Sequence, residues 1–111
     1  MRTRSPISAL TVALAPLLLA LACTEGMPHA TSADASRVAA RFPQSSANSL
    51  EEGRLLYLTH CGSCHALREP SSLAADAWPA RVDDMQKSQG VHLSNEDARS
   101  ITAYLVAVSS R

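Results

Sequence analysis

The chain has 111 residues, 46% of them hydrophobic but only 4% aromatic, and its ten Lys and Arg balance ten Asp and Glu. With no basic excess and no basic stripe, it lacks the electrostatic footprint of a nucleic-acid binder, and that class of partner is set aside. One Trp, two Tyr and one Phe make a thin core, and domains this small lean on a staple such as a metal, a disulfide or a large cofactor.

From the N-terminus, Arg2 and Arg4 precede an uncharged apolar run from Ala9 to Ala22, the pattern of an export signal. The run is broken by Pro16 and falls short of the roughly 20 residues that a membrane-spanning helix needs, so residues 1–22 read as a cleaved signal peptide. The next residue is Cys23, and Leu19-Ala20-Leu21-Ala22-Cys23 resembles a bacterial lipobox. That resemblance implies a diacylglycerol on the Cys23 thiol and a periplasmic protein held to a membrane by that lipid. Cysteine counting agrees, because Cys61 and Cys64 form a pair and Cys23 is the one left over. An ordinary signal-peptidase site after Ala22 is the alternative. Loss of the signal removes two basic residues and no acidic one, which leaves a mildly acidic chain.

Residues 23–48 are rich in Ala, Ser, Thr and Pro with little apolar periodicity and read as a flexible tether. Coil statistics for about 25 residues give a span of roughly 25–30 Å. Residues 49–111 form the one compact unit, and three helices are predicted in it. The first starts at Ser49, where Ser49-Leu50-Glu51-Glu52 fits a capping box, and carries Leu55, Leu56 and Leu58 toward Cys61. The second runs from about Asp76 to Gln89, tolerates Pro79 in its first turn and stops at Gly90. Its Trp78, Val82 and Met85 share one face. The third opens at Ser94, capping toward Asp97, and places Ala98, Ile101, Leu105 and Val108 at helical spacing. Nothing alternates with period two, so the fold class is all-α.

The strongest chemical signal is Cys61-Gly62-Ser63-Cys64-His65. Cys-x-x-Cys-His behind an export signal is the pattern of c-type haem attachment. Two thiols three residues apart at a helix end can add to the two vinyl groups of one porphyrin edge, and the adjoining imidazole then sits under the iron. Two rivals exist. A redox dithiol belongs in a βαβ setting, of which there is no sign, and a zinc site needs two further Cys or His ligands, for which His92 is a lone candidate.

Residues 49–111 resemble the small class I cytochromes c through Gly53, Tyr57, the Cys61-x-x-Cys64-His65 run and Ile101-x-x-Tyr104-Leu105. The resemblance implies about three helices around one covalent haem c. It also implies crossed first and last helices, with Gly53 admitting the backbone of the other helix beside Tyr104. Trp78-x-x-x-Val82-x-x-Met85-x-x-x-x-Gly90 is similar to the monohaem subunits of periplasmic, sulfite-type dehydrogenases, which implies Met85 as the sixth iron ligand. On the residues alone His92, His60, Met27, His29 and an open position also stand as candidates, with Met27 and His29 disfavoured as parts of a mobile tail.

The resulting expectation is a single-electron carrier between periplasmic redox proteins, such as a dehydrogenase, an oxidase or another cytochrome, with no substrate of its own. The alternative is a haem protein with an open or displaceable sixth site that binds small gases or has weak peroxidatic activity. Asp83-Asp84 and Glu96-Asp97 read as solvated helix faces that could orient a basic partner, not as an acid–base pair.

Overall fold

The computed structural model describes residues 26–111. The expected signal peptide, residues 1–22, and Cys23 lie outside the described residues. Four helices follow one another: α1 Ser32–Val38, α2 Ala47–Cys61, α3 Trp78–Ser88 and α4 Asn95–Ser109, with short 3-10 turns at Pro70–Ser72 and Ala75–Ala77. No strand occurs among the described residues, so the expected all-α class holds.

Each helix boundary has a local cause. α2 starts earlier than the Ser49 cap predicts, because the Ser46 hydroxyl accepts the Ser49 N–H at 3.1 Å and the Ser49 hydroxyl accepts the Ser46 N–H at 2.9 Å. The same reciprocal pairing is thus made one turn upstream, between two serines. α3 carries Pro79 in its first turn, where the missing N–H costs nothing. At its other end the Met85 carbonyl accepts from both Gln89 and Val91, and Gly90 takes φ +68, the left-handed turn that glycine supplies without strain. α4 is capped by the Ser94 hydroxyl, which accepts the Asp97 N–H at 3.0 Å.

The core is the crossing of α2 and α4. A Cβ on Gly53 would run into the Ser100 carbonyl oxygen and stand 2.9 Å from the Tyr104 Cβ, so only glycine lets the two backbones approach there. Leu50, Ile101, Tyr104 and Leu105 are fully buried around this point. Burial of each such side chain contributes about 1.5–3 kcal/mol relative to exposure.

The expected tether is corrected over residues 27–48. This stretch contains α1, which is opened by a Thr31–Asp34 capping box, and it buries Met27, Ala35 and Val38 in the same core as α2 and α4. The physical reason lies in polar pairing that apolar periodicity does not register. Asp34 is only 1% exposed and accepts from Arg37 at 2.8 Å and Arg111 at 2.7 Å. Tyr104 donates to the Pro28 carbonyl at 2.7 Å and Arg37 to the Ala107 carbonyl at 3.0 Å. Short and uneven as it is, the segment is folded by α4.

Candidate functional site

α2 ends on Cys61 because the chain must turn there. The Gly62 N–H closes the helix on the Leu58 carbonyl at 3.3 Å, and a Cβ on Gly62 would stand 2.7 Å from that same oxygen. The turn that follows carries Cys64 and His65. Cys61, Cys64 and His65 of the attachment run line one cavity that opens to solvent.

The remaining walls come from three other parts of the chain. α3 contributes Trp78, Arg81, Val82 and Met85, residues at i, i+3, i+4 and i+7 that share one helical stripe. The turn at Gly90 folds Val91 and Leu93 back onto the cavity, and α4 adds Leu105. Tyr57 and His60 complete it from α2. The lining is mainly apolar, which keeps water from a group held inside and lowers the local dielectric.

The loop after His65 is fixed by two aromatic donors. Tyr57 donates its hydroxyl to the Arg68 carbonyl at 2.7 Å, and Trp78 donates its indole N–H to the Pro70 carbonyl at 2.9 Å. The two rings meet edge to face, with centroids 6.3 Å apart, a favoured arrangement for aromatic pairs. Burial, with a contribution from the Cys61 thiol, pushes the Tyr57 phenol up to about 12, so the group stays a donor across the physiological range.

Each chemical group faces the cavity in a defined form. The Nδ1 of His65 lies 2.8 Å from the Ala66 carbonyl oxygen. A carbonyl only accepts, so Nδ1 carries the proton and Nε2 keeps its lone pair, the tautomer of a metal-ligating histidine. Burial, and after it the neighbouring Cys64, raises the Cys61 thiol above its ordinary value. A nucleophilic redox dithiol requires the opposite shift, toward the thiolate. Among the described residues no group of three or more His, Cys, Asp or Glu could hold a metal ion, so the zinc reading gains no further ligands there.

The sixth-ligand candidates separate by position. Met85 lines the cavity together with Cys61, Cys64 and His65. His60 also lines it, beside the attachment cysteine on α2. His92 is exposed and lies outside the lining, although its neighbours Val91 and Leu93 belong to it. Met27 and His29 belong to the folded domain and not to the expected tail. Met27 is buried in the core and His29 sits 2.9 Å from Glu51, and neither lines the cavity. Asp83 and Asp84 are exposed and engaged along α3, Asp83 by Lys87 at 2.7 Å and Asp84 by Ser88 at 2.8 Å.

Sequence reasoning passed over Arg68 and Arg81, the two guanidinium groups of the lining. Arg81 was open to discovery, because it stands three residues after Trp78 and four before Met85 on the same stripe. Arg68 was not, since its place depends on the loop that the Tyr57 and Trp78 bonds fix. The donor set therefore fits haem c: two thiols, an imidazole with a free Nε2, a thioether, apolar walls and two cations for the carboxylates of a porphyrin.

A protein-family model described as dihaem cytochrome c matches residues 57–111. No curated protein and no solved structure matches the chain. The sequence itself contains one Cys-x-x-Cys-His run.

Proposed function

From the cytochrome c family that the match over residues 57–111 supports, and the haem-based electron transfer that comes with it, we propose a monohaem carrier of single electrons. The observation that carries this reading is the gathering of Cys61, Cys64, His65 and Met85 around one apolar cavity from which His92 is left out. Haem, when bound, supplies a one-electron Fe(II)/Fe(III) couple whose geometry the protein holds. Cys61 and Cys64 tether the porphyrin edge. His65 offers Nε2 to the iron, with its ring oriented through Nδ1 by the Ala66 carbonyl. Met85 offers a thioether, a ligand that favours Fe(II) and raises the potential. Arg68 and Arg81 would supply cations for the carboxylates of the porphyrin, and Trp78, Val82 and Leu105 would exclude water.

The wider setting extends the same reading. Residues 1–22 direct export, Cys23 takes the lipid, and the domain works in the periplasm at a membrane. Its electrons come from a dehydrogenase or a membrane complex and pass toward an oxidase or another cytochrome. The likeness of the Trp78–Gly90 pattern to haem subunits of sulfite-type dehydrogenases favours a dehydrogenase as donor.

The test is the axial ligand. The oxidised protein is expected to show the weak near-infrared band of methionine-ligated ferric haem, and Met85→Ala to abolish it, lower the potential and admit carbon monoxide. His92→Ala is expected to change none of these. If the wild type lacks the band and binds carbon monoxide readily, the protein is instead a gas-binding or peroxidatic haem protein. If His92→Ala alone changes spectrum and potential, the carrier belongs to a low-potential, two-imidazole class.

A further inference from the structure

The folded domain begins much closer to Cys23 than the composition of residues 23–48 implies. Met27 is buried, and the next residues are fastened in series. The Pro28 carbonyl accepts from Tyr104 at 2.7 Å and the His29 carbonyl from Arg111 at 2.6 Å. The Ala30 N–H donates to Glu51 at 3.3 Å, and the buried Asp34 carboxylate takes Arg37 and Arg111 together. Apart from Arg37, which lies on α1 itself, these partners lie on α2 and on α4 or just beyond its end, the two helices whose crossing makes the core. Release of the segment would break the whole series at once, expose Met27, Ala35 and Val38 and leave the Tyr104 hydroxyl without its partner, so the clasp moves with the domain.

Covalent geometry then sets the reach. Only Thr24, Glu25 and Gly26 lie between Cys23 and Met27, and the four residue steps from one to the other span at most about 14 Å when fully extended. We infer that the folded domain starts within about 14 Å of the bilayer that receives the Cys23 lipid, and that its redox partner stands on the same membrane surface. This rests on the proposed lipidation of Cys23. A domain of this size is roughly 30 Å across, so the cavity at Cys61 and Met85 never lies more than about 45 Å from the bilayer. The surface the protein requires is therefore a lipid headgroup layer, and the partner that fits is a membrane-bound redox protein with its exchange site inside that shell. A freely diffusing carrier deep in the periplasm would have to come to the membrane to meet it.

Neutron reflectometry on the full lipidated haem protein, in a supported bilayer of phosphatidylethanolamine and phosphatidylglycerol, measures the stand-off directly. The native spacing is expected to give protein density that starts within about 14 Å of the headgroup edge. Insertion of 20 Gly and Ser residues after Thr24 is expected to open a hydrated gap of about 25 Å, from coil statistics. Asp34→Ala is expected to open a similar gap without any insertion, with the haem absorption spectrum unchanged as the check that the domain stays folded. Intact mass separates the two levels of failure. A product without the diacylglyceryl adduct overturns the lipid reading and this inference with it. A lipidated product whose native spacing already shows the wide gap overturns this inference alone.

Discussion

The first half of α2 and its last turn are built on different principles. Between Leu50 and Arg54 the helix is closed by protein groups alone: Gly53 admits the α4 backbone, Glu51 is shared by His29, Ala30 and Arg54, and Asp34 completes the clasp from α1. Around Cys61 the same helix faces an apolar cavity with two thiols, an imidazole nitrogen and a thioether, the groups to which we assign the haem. A thin aromatic core is tolerable when one side is locked by polar pairing and close helix approach while the other is left to a large prosthetic group. Substitutions in the first region should therefore change stability, and those in the second should change colour, potential and ligand binding.

The largest expected effect is at Gly53. Gly53→Val forces α2 and α4 apart at the point where no Cβ fits, and we expect loss of the folded domain, seen as absent cooperative unfolding. Overpacking usually costs about 1–3 kcal/mol, but here the obstacle is the Ser100 backbone, which cannot swing aside as a side chain would. A folded Gly53→Val protein of near-normal stability would break the contrast. Next comes Asp34→Ala, which leaves Arg37 and Arg111 without their shared carboxylate. Loss of one partner of a buried pair costs about 3–5 kcal/mol, and the partial exposure of both arginines brings the expectation to about 2–4 kcal/mol, read from urea midpoints. The potential should stay unchanged.

Acid sharpens the same contrast. Hydrogen bonding to Arg111, then Arg37 and Thr31, holds the Asp34 carboxyl well below its ordinary value of 3.8. A carboxyl lowered on folding contributes stability that is complete above the unfolded value and is lost as pH falls below it. Stability is therefore expected to decline from about pH 4 downward, and Asp34→Asn to flatten that decline. An acid profile identical in the variant would show that Asp34 is not the group responsible. The smallest effects are expected at Tyr57→Phe and Trp78→Phe, each removing one hydrogen bond to a loop carbonyl for about 1 kcal/mol. Because these two bonds hold the loop behind His65, they should also perturb the axial-histidine signals in the paramagnetic NMR spectrum, which the clasp variants leave alone.

How legible these regions were in the sequence follows from the same difference. The cavity side announces itself through residue types at fixed spacing: Cys61, Cys64 and His65 in one run, and Trp78, Val82 and Met85 on one helical stripe. Caps and stops at Ser94 and Gly90 are likewise local. The clasp is not local, since Asp34 and Arg111 meet across most of the chain, and no periodicity in residues 27–48 reports that pairing. The Ser46 cap was missed because two serines can replace the Ser–Glu pair of the usual box. Arg68 could not be placed before the loop that carries it was known.

The central claim, covalent attachment of haem at Cys61 and Cys64, is tested most directly by the reduced pyridine adduct of protein made with a c-type maturation system. Haem is expected to stay with the polypeptide through acid–acetone extraction and to show the spectrum of a porphyrin with both vinyl groups saturated, with Cys61→Ala and Cys64→Ala each leaving one vinyl intact. A colourless, correctly exported product with free thiols at Cys61 and Cys64 would contradict the account.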